Sequence, residues 1–364
     1  MKNILSLILL ISILVSGCSQ EELLKNESTK LPKITAGFEQ DESRTYIEEG
    51  NLLRWTENDQ ISFFYKSTLN LQYQFDGETG DNAGTFSLVN QVVGTGNDLN
   101  RNYAVYPYAS KIKITEDGVI TATLPAEQSY ATNSFGLGAN TMVAATQNTE
   151  DTFLKFKNVG GYLKLLLYGD DVTVKSITLT GNNNEKLAGK ATITSVYGQD
   201  PTIQMADDAT KSITLDCDDG IKIGSTAETA TAFWIVVPPT SFDNGFVITI
   251  TDVNDYEVTK STSNEISIER NRIKPMAAFK VETVETIPNN QIWYTSSDGA
   301  IIEPSTNGFG ANIISNTYKG GKGIITFDGD VTSIGSFDGR TTLASVTIPY
   351  SVTAIQAHMF DNCI

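Results

Sequence analysis

From Ile34 onward the apolar residues fall on alternate positions, in short runs closed by Gly, Asn, Asp or Pro. Ile34, Ala36 and Phe38 alternate, as do Ile61, Phe63 and Tyr65, and then Leu69, Leu71, Tyr73 and Phe75. A two-residue period puts every second side chain on one face, which predicts half-buried β-strands. Ile112 and Ile114 lead into Glu116-Asp117-Gly118, a hairpin signal, and the chain returns from Val119 to Leu124 before Pro125 stops it. After Asn158-Val159-Gly160-Gly161 the alternation resumes at Leu163, Leu165 and Leu167, and its face flips between Val174 and Ile177, which predicts a bulge. Phe233 to Val237 is continuously apolar and closed by Pro238-Pro239, as expected of a strand covered on both faces. Phe246, Ile248 and Ile250 turn through Asp252 to Asp255 and return at Tyr256 and Val258. No stretch after the first eighteen residues has convincing helical spacing. The fold class expected is mainly β, as tandem β-sandwiches of short strands.

Two regions break this pattern. Ile4 to Val15 is an apolar run interrupted only by Ser6 and Ser12, behind the positive Lys2. It is shorter than the roughly 20 residues of a resident membrane helix and fits a secretory signal. It closes on Val15-Ser16-Gly17-Cys18, which resembles a bacterial lipobox, with cleavage between Gly17 and Cys18 and the Cys18 thiol taking the lipid (palmitate-type acylation). An ordinary signal peptide with a chance cysteine is the alternative. Ser19-Gln20-Glu21-Glu22 resembles the acidic surface-export signal of Bacteroidetes lipoproteins.

At the other end, Ile325, Phe327, Val331 and Ile334 recur as Val346, Ile348, Val352 and Ile355, each 21 positions later. Phe337 and Phe360 extend the match. A fixed period in the twenties signals a solenoid. Val346-Thr347-Ile348-Pro349, Val352-Thr353-Ala354-Ile355, Phe360 and Cys363 resemble the BspA-type leucine-rich repeat. Arg340 stands where the first copy would carry its cysteine. The chain stops at Ile364 inside the second copy, and the expectation is that more repeats follow. A short stub docked on the preceding body is the alternative.

Between these ends a second resemblance is carried by order. Ser43-Arg44-Thr45, Leu53-Arg54-Trp55, Asp59-Gln60-Ile61, Tyr103-Ala104-Val105-Tyr106-Pro107, Trp234 to Pro239 and Asn271-Arg272-Ile273 are similar to successive landmarks of the fimbrillin family of Bacteroidetes. The resemblance covers roughly residues 34–284. It implies two transthyretin-like β-sandwiches and a role in surface pili or adhesins. The expected organisation is a lipoprotein signal (1–17), a lipidated linker (18–33), two fimbrillin-like sandwiches (34–158 and 159–284), a connecting or capping segment (285–323) and truncated repeats (324–364). The family also implies a maturation step: a cut after an arginine, here Arg44 or Arg54, would remove the first strand and leave a groove for a partner's strand. An uncut, anchored protein is favoured, because a C-terminal solenoid suits a tip or stand-alone adhesin better than a stacking subunit.

Charge and chemistry change this picture little. The formal charge of −17 argues against nucleic acid as a partner. Beyond Cys18, Cys217 and Cys363 read as small core residues rather than a bridge. His358 is the single histidine, so multi-histidine metal centres are excluded. No nucleophile elbow, phosphate loop or calcium loop is present, and no cofactor or catalytic residue is assigned. Asp216-Cys217-Asp218-Asp219 reads as an exposed acidic turn. Trp55 and Trp234 read as core, while Trp293 is left between packing and a sugar-binding surface. The reading is a lipid-anchored, surface-exposed outer-membrane protein without enzymatic activity. It would adhere to a host or bacterial surface protein or glycan, with pilus subunits as further partners. The alternative is a surface glycan-binding lipoprotein of a polysaccharide-uptake system.

Overall fold

A computed structural model describes residues 31–39, 53–90, 94–282 and 287–363. Strands dominate it. The first group is β1 (Ile34–Phe38), β2 (Gln60–Phe64), β3 (Leu71–Phe75), β4 (Ala83–Leu88), β5 (Tyr103–Tyr106), β6 (Lys113–Ile114), β7 (Val119–Leu124), β8 (Glu127–Ala131), β9 (Ser134–Phe135), β10 (Met142–Ala145) and β11 (Phe153–Asn158). The second is β12 (Gly161–Tyr168), β13 (Thr173–Gly181), β14 (Gly189–Thr194), β15 (Thr202–Met205), β16 (Ser212–Lys222), β17 (Thr231–Val237), β18 (Thr240–Phe242), β19 (Phe246–Asp252), β20 (Glu257–Ser261), β21 (Ile266–Ile268), β22 (Ile273–Pro275) and β23 (Phe279–Lys280). The last is β24 (Gln291–Ser296), β25 (Ile313–Lys319), β26 (Lys322–Phe327) and β27 (Leu343–Thr347).

Where an open sandwich is expected for residues 34–158, the strand path β1-β11-β10-β5-β2-β3-β4 closes on itself. The closing element is β1. It runs parallel to β11, with Ala36 opposite Leu154, and antiparallel to β4, with Ala36 opposite Gly84. Both flanking strands would otherwise present an unpaired edge, and closure removes it. The interior is aromatic. Trp55 is 1% exposed and touches five rings: Phe38, Phe75, Phe86, Tyr106 and Phe156, at centroid distances of 4.5 to 5.9 Å.

In the second group, the sheets β17-β12-β22 and β20-β19-β13-β16-β8-β9 face one another across a single core. Leu163, Leu165 and Leu167 from one sheet meet Ile177, Leu179, Ile248 and Ile250 from the other. The expected flip appears as a register shift between Val174 and Ser176 against both neighbours. Phe233, Ile235 and Val237 enter this core, while Trp234 and Val236 are buried on the opposite face, so β17 is covered on both sides as its composition requires.

Hydrogen bonding crosses residue 158 in both directions. β7 pairs with β14, β8 runs parallel to β16, and the Gln128 side chain clasps the Val236 backbone, donating to its carbonyl at 2.7 Å and accepting from its N–H at 2.9 Å. The sheet β15-β14-β7-β6 lies on the outer face of the barrel against Phe64, Val105 and Val143. At the crossing, Gly161 is required: a Cβ there would lie 2.0 Å from the Glu269 carbonyl oxygen.

The two C-terminal copies touch through their second halves. Ser333 and Ala354 form a parallel bridge, Phe337 N–H donates to the Met359 carbonyl at 2.7 Å, and the Phe337 and Phe360 rings stack at 5.7 Å. The equivalent strands β26 and β27, however, are not neighbours as a regular stack would have them. β24 lies between and pairs antiparallel with both, giving the order β25-β26-β24-β27. Its Ile292 and Tyr294 supply buried core, so the segment expected to connect or cap is built into the sheet. Cys217 and Cys363 are both unbridged, and Cys363 packs on this core.

Replacing Trp55 with Ala should cost about 3–5 kcal/mol, the range for a fully buried aromatic. Ile314→Ala, at a position 65% exposed, should stay close to wild type. Urea denaturation of both variants checks this.

Candidate functional site

A concavity of about 930 Å³ lies where one end of the barrel meets the outer face of the β12–β17 sheet. Several pieces of chain make it: the end of β1 with Phe38 and Glu39, the segment carrying Trp55 and Asp59, the β9 turn from Ser134 to Gly138, and a wall to which Asn158 with Tyr162, Trp234, and Asn271 come from separate segments. Each arrives through its own local pattern. Trp234 is the outward residue of a two-faced strand, and Phe135 closes over it from the β9 turn, stacking on Tyr162 at 5.2 Å with rings 6° from parallel. Lys164 lies 5.1 Å over the Trp234 ring. Leu137 and Phe153 stand on the rim, 75% and 52% exposed.

The floor is held by a chain of amides and one buried ion pair. Asn140 Nδ2 donates to Asn158 Oδ1 at 2.7 Å, and Asn158 Nδ2 donates to Asn271 Oδ1. Glu39 Oε1 accepts from the Asn158 N–H at 2.8 Å and from Arg270 at 2.6 Å, and Arg270 also donates to the Asn158 carbonyl at 3.0 Å. Side-chain exposures of 8% for Glu39 and 17% for Arg270 make this a desolvated pair. Burial works against the Arg270 charge, but the Glu39 and Asp200 carboxylates outweigh it and hold the guanidinium protonated. Asp200, 3.0 Å from Arg270, sits below the ordinary carboxylate value, chiefly through its hydrogen bond from Lys157. The ion pair ties the end of β1 to the second group of strands.

Asp59 accepts from the Thr56 N–H at 2.7 Å and from the Tyr106 hydroxyl at 3.0 Å. Burial lifts its pKa, against both hydrogen bonds. Burial, and then Asp59, push Tyr106 upward in turn. Among the described lining residues, Asn140 Oδ1 is buried without a donor, and Trp234 Nε1 and Trp55 Nε1 are buried without an acceptor.

Of the residues singled out in the sequence, Gly17, Cys18 and Arg44 lie outside the described residues. Arg54 is exposed at the cleft, but the next residue is the buried hub Trp55, whose N–H donates to Asp81 and whose carbonyl accepts from Gly80. Trp293 is 9% exposed with Lys322 3.1 Å over its ring, so it packs rather than forming a platform. His358 is exposed and paired only locally, Nδ1 to Asp361 at 2.6 Å. The acidic run 216–219 lies within β16, where the register against β13 shifts just after Asp216, rather than in a free turn, and among the described residues no three His, Cys, Asp or Glu side chains converge on a common point. The cleft itself was not legible beforehand. Asn158 stands at the expected boundary and Asn271 in a family-like landmark, but nothing in the sequence says that they touch.

No family model and no curated protein matches this chain. Solved structures do resemble it at a distance. A candidate cell adhesion protein of Bacteroides ovatus is similar over 68% of this chain and 91% of its own, at 16% identity and a TM-score of 0.41. A second candidate cell adhesion protein, of Bacteroides uniformis, is similar over 62% and 88%, at 15% identity and a TM-score of 0.38. The C-terminally truncated tip fimbrial protein of Porphyromonas gingivalis is similar over 67% and 94%, at 6% identity and a TM-score of 0.24. Likenesses of this order establish neither the fold nor the role of this chain.

Two outcomes are expected. Arg270→Gln should lose about 3–5 kcal/mol by leaving the Glu39 charge buried and alone, and adding Glu39→Gln should recover much of it. Denaturation of the two single variants and the double variant measures the coupling. Separately, burial first, and then Asp216 and Asp218, push the Cys217 thiol up to about 12. The neutral form therefore dominates at pH 8, with thiolate on the order of one in 10⁴. Iodoacetamide should spare Cys217 in native protein and alkylate it in urea, as read from the mass of its peptide.

Proposed function

We propose that the chain is a cell-surface lipoprotein that works by contact, as an adhesin or pilus-associated protein, and turns nothing over. It is cut between Gly17 and Cys18 and held on the outer membrane by acyl chains on Cys18. Each buried CH₂ of such a chain contributes roughly 0.8 kcal/mol of anchoring. The observation that carries the reading is the lipobox pattern set directly upstream of a body made almost wholly of strands. Residues 34–158 and 159–284 are two fimbrillin-like modules that exchange strands β7 to β9 across their border. Residues 324–364 begin a leucine-rich-repeat stack, supported by the parallel bridge and ring stacking between its copies. The partner is a host or bacterial surface protein or glycan.

The β1 geometry fits a pilus role as well. Removing five residues would free β4 and β11 together, and a partner's strand could add between them. A cut after Arg54 would first require Trp55 to leave the core, so in the folded protein that bond is protected and Arg44 is the better candidate. The alternative reading, glycan capture for a polysaccharide-uptake system, is favoured by the aromatic and amide lining of the cleft.

Labelling with palmitate, and sequencing of the mature N-terminus from surface-extracted protein, test the anchor. The expected result is a lipid-modified Cys18 as first residue, loss of label in Cys18→Ala, and digestion of the protein by protease added to intact cells. A mature protein recovered unlipidated from the cytosol would sink the reading. A start just beyond Arg44 would shift it to a polymerising subunit.

A further inference from the structure

We propose that the cleft between the barrel and the β12–β17 sheet is a binding site for a neutral oligosaccharide. This deepens the glycan half of the functional reading above and rests on it. A volume of about 930 Å³ lies toward the upper end of ligand pockets, which run roughly 300–1,000 Å³. The chemistry of the walls selects the class. The lining carries rings, Phe135 stacked on Tyr162 with Trp234 beside them. The same lining carries the amide chain of Asn140, Asn158 and Asn271, which has no charge. The carboxylates at the site are already engaged, Glu39 by Arg270 and Asp59 by Tyr106 and Thr56. Arg54 is the exposed charge at the cleft, so a cationic ligand finds little to pair with, and an anionic one is opposed by the net charge of −17.

Among the described residues that line the cleft, Asn140 Oδ1, Trp234 Nε1 and Trp55 Nε1 are buried without a hydrogen-bond partner, and buried polar groups ordinarily have one. A pyranose meets all of these requirements at once: its C–H faces lie on aromatic rings, and its hydroxyls both donate and accept. An apolar peptide would use the rings but leave the amides without partners, at a desolvation cost. The exposed Leu137 and Phe153 mark the rim over which a chain longer than the cleft would continue.

The test uses the full mature chain. An array of neutral oligosaccharides of four to eight units, with sialylated and sulfated members as charged controls, is screened, and hits are titrated by tryptophan fluorescence. At least one neutral oligosaccharide should bind saturably. Phe135→Ala should weaken it tenfold or more, and Leu137→Glu, a change at an exposed rim position, should weaken it several-fold without altering the unfolding midpoint. Trp293→Phe should leave affinity unchanged, since that residue lies elsewhere. Absence of any neutral hit, binding indifferent to Phe135→Ala and Leu137→Glu, or saturable binding confined to an apolar peptide or to charged glycans would each overturn the proposal. Cells that still adhere through the protein under such an outcome would leave the adhesin reading standing and remove only this site.

Discussion

Everything in the N-terminal half depends on one backbone fact: β1 satisfies two strands at once. β4 and β11 are separated widely in the chain, and neither has another neighbour on the side that β1 occupies. Five residues therefore complete two ladders and cover an aromatic interior, with Ile34 and Ala36 almost wholly buried. Backbone groups left without partners in such a place cost more than the hydrogen bonds contribute when made, so the closure is close to all-or-none. The Trp55 hub adds to this, because Phe38 at the end of β1 stacks on it at 4.5 Å.

The ion pair of Glu39 and Arg270 extends the same constraint across the molecule. It fixes the residue that follows β1 to a turn more than two hundred positions away in sequence. Because the pair is desolvated, its value lies less in net stability than in making one arrangement of the two bodies much better than its neighbours. The cleft inherits its shape from this arrangement, since its floor is the amide chain that Asn158 shares with both partners.

Much of the architecture was readable in the chain. Period-two alternation located the strands, the flip near Val174 located the bulge, and the unbroken run at Phe233 marked a strand with two covered faces. These are local signals, and local physics sets them. What escaped was non-local. Nothing in Ile34-Thr35-Ala36-Gly37-Phe38 says that it pairs parallel with Phe153 to Phe156, because alternation specifies a face but not a neighbour. For the same reason nothing in Ile292-Trp293-Tyr294, within the segment expected to connect or cap, reveals that it separates β26 from β27. The cleft was hidden for a further reason: its amides come from three segments, each looking like an ordinary turn or joint.

The strands β7 and β8 each find a partner in a segment synthesised later, β14 and β16. The β6–β7 and β8–β9 hairpins can form locally, but the ladders to β14 and β16 must wait for the later segments, and long-range pairing of this kind is slow. The same interleaving means that a recombination break at residue 158 would split two sheets rather than separate two transferable units.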